Sequence, residues 1–345
     1  MLILSGYKMS TLRTGPLNSI CDISGLRVGN AIDSKVKTGV TVLTGDAPFT
    51  ASYAVLGGAP GTRDTDLLEP DKTVQSVDAI VLSGGSAFGL DSAGGVAHEL
   101  RAAGRGFAVG DVTIPIVPTA ILFDMANGGD KNWETSPYTE LGRNAYLSAD
   151  TKFDIGNAGA GFGALCGITK GGLGTSSLTL DAGITVGALI AANPVGNAVT
   201  PDKKHFWAAP FEIQSEFGGY GISQNIPPSL GIEQSKLGAL HSQTNTTIGV
   251  VATDFDLDKA ELKRLAIAAH DGLARAIYPS HLPYDGDLIF AVSTGKIAKP
   301  KDPVLISTLS SAAAHCAARA VARGVYHAQA EDGDLKPTVR QIIDG

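Results

Sequence analysis

Cysteine is scarce. The chain has three in 345 residues, Cys21, Cys166 and Cys316, odd in number and far apart. That excludes a disulfide framework and a cysteine zinc site, and it fits a reducing compartment such as the cytoplasm. Charge is also sparse: 18 % of residues are charged, Lys+Arg number 27 against Asp+Glu 34, and the net charge is −7. With no Lys/Arg-rich block, nucleic acid is not an expected partner. The seven histidines show no ligand spacing, so no metal is expected. No run approaches the ~18 unbroken apolar residues of a membrane span. The opening stretch from Met1 lacks the basic region of a secretory signal, and Met9 is an alternative start. A cytoplasmic protein with no membrane partner is the expectation.

Glycine is what the chain has in excess. There are 43, about 12 % against a usual ~7 %, clustered and without a Gly-X-Y period. Such clusters mark tight turns and close backbone approaches. Hydrophobic residues make up 43 %, and the length suits one large domain or two ordinary ones.

Strand-like and helix-like stretches alternate along the chain. Val40-Thr-Val-Leu43 and Asp78-Ala-Ile-Val-Leu82 read as strands. Ser83-Gly-Gly-Ser-Ala-Phe-Gly89 then reads as a turn into an Ala-rich helix that stops near Gly104. Pro115 and Pro118 keep their segment out of a helix interior. Eight glycines fall in the 19 residues 156–174, which predicts irregular backbone wrapped around something. Residues 183–193 read as a buried strand, and 208–245 as a long polar loop of the kind that is usually functional or mobile. Order returns with a strand at Thr247-Ile-Gly-Val-Val-Ala-Thr253. Asp258-Lys-Ala-Glu261 is a capping box for a helix that aligns Leu262, Leu265, Ala269, Leu273 and Ile277. A strand at Leu288-Ile-Phe-Ala-Val292 follows. Asp302-Pro303 then opens a helix that ends by Gly324.

Gly159-Ala-Gly-Phe-Gly-Ala164 has the G-x-G-x-x-A form of a dinucleotide turn, but four more glycines follow by residue 174 where an uninterrupted helix is needed. Lys170 precedes its glycines, and Gly295-Lys-Ile lacks the hydroxyl, so there is no phosphate loop. Gly84-Gly-Ser86 misses the nucleophile elbow because Phe88 stands two after the serine. His270 and His315 read as packing residues.

The junction Thr244-Asn245-Thr246-Thr247 has two readings. One is a polar loop entering a strand. The other is a self-cleaving bond, in which the Thr246 hydroxyl attacks the Asn245 carbonyl and the resulting ester is hydrolysed. Thr246 would then carry a free α-amine, which titrates near ~7.7–8 and can act as base to its own hydroxyl.

Several blocks bear on that choice: Gly58-Ala-Pro-Gly-Thr-Arg-Asp-Thr-Asp-Leu-Leu68, Ile80-Val-Leu-Ser-Gly-Gly-Ser-Ala-Phe-Gly-Leu-Asp91, Pro115-Ile-Val-Pro118, Asn245-Thr-Thr-Ile248 and Ala269-His-Asp-Gly-Leu-Ala-Arg-Ala276. Through them the chain resembles the DmpA-type aminopeptidases and nylon-oligomer hydrolases, self-processing N-terminal-nucleophile hydrolases, from about residue 20 to 325. The resemblance implies an α/β (α+β) fold of the αββα sandwich type, shared with the ornithine acetyltransferases. It implies a single domain made of two chains: residues 1–245 as the large chain, and 246–345 as a small chain of 100 residues. Thr246 is then the nucleophile. Asn193 would face the oxyanion, Lys170 would sit near the nucleophile, and Asp285 and Asp287 would support it. Tyr138 would donate its hydroxyl at the pocket.

Asp285 and Asp287, one residue apart, would point to opposite faces of an extended strand, so only one would reach Thr246 unless Gly286 bends the chain. The resemblance further implies amide or peptide hydrolysis of small substrates (peptides, amino-acid amides or linear amide oligomers) without a cofactor, in a homotetramer of processed heterodimers. An acyl transferase of the ornithine acetyltransferase type and a nucleotide-binding protein built on residues 156–174 are the alternatives.

Overall fold

A computed structural model describes residues 12–181, 183–239 and 245–345. The possible start at Met9 and the residue Thr244 lie outside the described residues. In chain order the elements are β1 (Leu26–Asp33), β2 (Thr38–Val55), β3 (Thr62–Arg63), β4 (Val77–Ser83), α1 (Ser92–Ala102), β5 (Phe107–Val109), β6 (Val112–Ile114), β7 (Thr119–Ile121) and α2 (Tyr138–Leu147). They continue with β8 (Leu165–Cys166), β9 (Thr169–Lys170), β10 (Gly172–Thr179), β11 (Thr185–Asn193), β12 (Thr246–Phe255), α3 (Lys259–Ala276), β13 (Leu288–Ile297), α4 (Pro303–Tyr326) and α5 (Val339–Ile343).

Nine strands pair in the order β10-β11-β12-β13-β2-β4-β7-β3, with β1 added to β2. The 18-residue β2 belongs to two layers. Its residues 38–45 pair with β1, and β4 also joins this first half. Its residues 50–55 pair with β13. The central strands are apolar on both faces, as strands covered on both sides must be. Along β11, Val186, Ala188, Ile190 and Ala192 face one core while Leu189 and Ala191 face another. Three cores result. Val28, Leu43, Ile80 and Leu82 of one sheet meet Leu189, Val250 and Phe290 of the other. Helices α3 and α4 cover the outer face of the second sheet, and α1 and α2 that of the first. This is the αββα sandwich.

Local signals explain the helices. Asp258 and Glu261 form the capping box of α3, and Leu262, Leu265, Ala269 and Leu273 lie in one core. Asp302 caps α4 through the amides of Val304 and Leu305, with Pro303 at its first position. That helix is long and apolar enough to cross a membrane, yet its apolar face packs on β10, β11 and α3.

The glycines of 156–174 prove to be contact points of the packing. A Cβ at Gly161 would stand 2.0 Å from Leu173 N, and one at Gly174 would stand 1.9 Å from Ala320 O on α4. The segment runs from a 3-10 turn at Gly159–Gly161 into short strands and then β10, so no helix follows the glycine turn as dinucleotide binding requires. Residues 208–239 carry only the short 3-10 turns Ala209–Phe211 and Lys236–Ala239. This portion of the long loop has the irregular form that its composition predicts.

Candidate active site

Strand pairing brings the first site residues together. Asn193, the last residue of β11, is the register partner of Thr246, the first of β12. Both are buried, as is Asn245. The Thr246 hydroxyl donates to the carbonyl oxygen of Asn245 at 2.6 Å. That same oxygen accepts the Gly286 amide at 2.7 Å, while the Asn245 amide donates to Tyr284 O at 3.0 Å. Residues 284–286 thus grip both sides of Asn245. Gly286 is needed for the approach, since a Cβ there would lie 2.6 Å from both Thr246 Oγ1 and Ala59 O.

Asp285 and Asp287 precede β13, and neither carboxylate bonds the Thr246 hydroxyl. Asp285 accepts the amides of Val195 and Leu282, both at 3.0 Å. Asp287 accepts the Thr247 amide at 2.8 Å, and His281 donates to its other oxygen through the backbone amide at 3.1 Å and approaches it with Nδ1 at 2.8 Å. The two acids therefore clamp the neighbours of Asn193 and Thr246. Burial, and then the charge of Asp287, push Asp285 up to about 7. Burial works against a charged His281, but the hydrogen bond and charge of Asp287 outweigh it and raise the ring's pKa. His270, stacked edge-on at 4.9 Å, is held down to about 4 chiefly by burial.

Asn193 has a fixed amide. Its Oδ1 accepts the Leu165 amide at 2.9 Å and the Lys236 ammonium at 3.0 Å, and its Nδ2 donates to Phe123 O at 2.9 Å. Two donors on one end leave only one assignment of the oxygen and nitrogen. A small cavity lies between Asn193, Asn245, Lys236 and Asp124, with about 10 Å³ of room, enough for barely one water.

Lys170 and Tyr138 are placed elsewhere. The Lys170 ammonium is buried against Asp334 at 2.7 Å, and Lys37 shares the same carboxylate at 3.0 Å. The lysine that reaches the Asn193–Asn245 cluster is Lys236. Tyr138 is fully buried and donates to Thr38 Oγ1 at 3.2 Å, which in turn donates to Asp124 at 2.6 Å. Burial, with the charge of Asp124, keeps its phenol protonated. It stands one hydroxyl and one carboxyl behind the small cavity.

Residues 18–338 match the profile of peptidase family S58. The chain belongs to that family. An uncharacterised aminopeptidase of Mycobacterium tuberculosis is 41 % identical to this S58 chain over 347 aligned residues, spanning 95 % of it and 99 % of the relative. A 6-aminohexanoate-oligomer endohydrolase of a Kocuria species is 27 % identical over 305 residues, or 82 % of this chain and 76 % of that one. Among solved structures, a Burkholderia β-aminopeptidase superposes with a TM-score of 0.70 at 24 % identity, covering 98 % and 95 % of the two chains. The L-aminopeptidase D-Ala-esterase/amidase of Ochrobactrum anthropi gives 0.66 at 21 % identity, covering 94 % and 91 %, and is described as a variant of the Ntn hydrolase fold. The S58 chain is an amide-bond hydrolase with that fold.

Lys236 and His281 were not legible as site residues. Lys236 sits in a polar loop with no motif around it, and His281 lies six residues before Asp287 with no spacing that marks a pair. A lysine nine residues ahead of a suspected scissile bond was the one available hint.

Proposed function

We propose that the chain cuts itself between Asn245 and Thr246, and that Thr246 then serves as the nucleophile of an amide hydrolase acting on small peptides, amino-acid amides or linear amide oligomers. The observation that carries this reading is the Thr246 hydroxyl 2.6 Å from the preceding carbonyl oxygen, with the Gly286 amide on that oxygen. Attack of Oγ1 on the Asn245 carbonyl carbon moves negative charge onto the oxygen, where the Gly286 N–H is already aimed. The C–N bond breaks, the Thr246 nitrogen takes the proton lost by the hydroxyl, and water hydrolyses the ester. Thr246 and Asn245 are each only 2 % exposed, so substrate reaches the hydroxyl only after the end of the large chain moves aside.

In the processed enzyme the α-amine of Thr246 takes the hydroxyl proton, and the alkoxide attacks the substrate carbonyl. Asn193 supplies the neutral oxyanion donor. Asp285 and Asp287 hold the strand ends, and Tyr138 supports the pocket through Thr38 and Asp124. Lys170, paired with Asp334, acts from a distance by fixing the loop that carries Leu165. The relatives named aminopeptidase and oligomer endohydrolase support amide substrates of this size. Three buried free cysteines suit the cytoplasm.

The proposal includes a homotetramer of processed heterodimers. Supporting it, the β5–β6 hairpin presents Phe107, Val109, Val112 and Ile114 to solvent, each more than half exposed, an apolar face of the kind that associates.

The test is a denaturing gel with N-terminal sequencing. Wild type should give a fragment beginning at Thr246, and Thr246→Ala a single full-length band. Identical full-length bands from both would remove the nucleophile. Acetyl transfer from acetylornithine to glutamate, in place of hydrolysis of aminoacyl nitroanilides or aminohexanoate oligomers, would move the assignment to an acyl transferase.

A further inference from the structure

Lys236 belongs to none of the roles above, yet its ammonium bonds the residue that self-cleavage would make the new end of the large chain. It opens the short 3-10 turn Lys236–Ala239. Its backbone amide donates to Val195 O at 3.0 Å, which ties the turn to the residue that Asp285 holds. The ammonium is buried although part of the stem reaches the surface. It donates to Asn245 Oδ1 at 2.7 Å, Asn193 Oδ1 at 3.0 Å and Asn193 O at 3.2 Å. Three donors are what an ammonium has, and all three are used.

We propose that Lys236 is a positioning residue for self-cleavage: it fixes the acyl side of the scissile bond by tying the Asn245 side chain to Asn193. This rests on the reading of Thr246 as a self-cleaving nucleophile. An acyl shift within a peptide requires the carbonyl carbon to be presented to the neighbouring hydroxyl, and this depends on the rotation of Asn245. Backbone bonds from Tyr284 and Gly286 set the peptide planes on either side. The side chain of Asn245 is the remaining handle, and Lys236 holds it. The same ammonium helps pin Asn193 Oδ1, so Nδ2, which donates one hydrogen to Phe123 O, keeps its second hydrogen for the later oxyanion role. A buried cation held only for packing would need no such convergence on two asparagines.

The charge state offers a readout. Burial holds the Lys236 pKa down to about 7, helped by the Lys336 ammonium and opposed by Cys166 and Asp285; among the described residues Asp124 also lines the small cavity beside it. Below that pH the three-donor form dominates, and above it one donor is lost. Arginine stays charged throughout.

The experiment follows conversion of full-length chain to fragments on gels, with melting temperatures, for wild type, Lys236→Met and Lys236→Arg between pH 6 and pH 9. Loss of positioning should slow Lys236→Met by about 10–100-fold. Lys236→Arg should keep a larger share of the rate, and the ratio of wild type to Lys236→Arg should fall as pH rises through about 7. Because Lys236 and Asp285 shift each other, the pH at which the ratio changes belongs to the pair. Cutting of Lys236→Met at the wild-type rate overturns the proposal and leaves the nucleophile intact. Equal slowing of both variants with a pH-independent ratio and lowered melting temperatures overturns it too, because the lysine would then be packing. A wild type that never cuts, or a Thr246→Ala chain that does, removes the nucleophile and the positioning role together.

Discussion

At the scale of single residues, the site is a set of buried polar groups whose hydrogen bonds leave few free orientations. Asn193 is bonded at both ends of its amide, so in the proposed oxyanion role it is a preorganised donor that needs no reorganisation when charge develops. In the processed fraction, Asn193→Ala should lower kcat by ~10²–10³, measured with an aminoacyl anilide. Asp285 makes a different prediction. Its folded pKa is raised to about 7, so the native state holds a proton that the unfolded chain releases near the ordinary carboxylate value. The stability this adds is complete at low pH and is lost as pH rises toward 7. Urea midpoints should therefore decline between pH 5 and pH 7 in wild type, and the decline should flatten in Asp285→Asn. An identical slope in both would show that another group carries the titration.

At the scale of elements, glycine at close approaches decides how the layers meet. Gly174 on β10 faces Ala320 O on α4, and a methyl there would intrude to 1.9 Å. Neither backbone can yield without parting the strand from the helix, so Gly174→Ala should cost about 1–3 kcal/mol in chemical denaturation. What could be read from the chain beforehand follows the range of the physics. Asp258 with Glu261, and Asp302 with Pro303, are local devices, and both helices start where these residues place them. The buried strand expected at 183–193 begins at Thr185 because Gly183 still belongs to a turn, its amide donating to Leu180 O. The glycines of 156–174 were visible, but their partners Gly324 and Ala320 lie some 150 residues away, so packing could not be told from a ligand cradle. A like distance hid the partner of Lys170, since Asp334 lies 164 residues on. Lys236 is only nine residues from Asn245 but has no motif around it that marks Asn193 and Asn245 as its acceptors.

At the scale of the whole molecule, the proposed small chain is woven into the large one. Strand β12 pairs with β11, and β13 with β2, so residues from beyond the junction fill the gap between two strands from before it. A cut at 245 would break one bond and leave these ladders in place. Both fragments should therefore elute together on size exclusion and part only in denaturant; separate elution under native conditions would contradict the strand order. The weave also sets a schedule during synthesis. The donor at Gly286, the acids at 285 and 287 and the imidazole of His281 all leave the ribosome after the bond they surround. Until that later stretch has emerged and docked beside β2, the junction is an ordinary peptide, and under the proposed self-cleavage a nascent chain is protected from severing itself too soon.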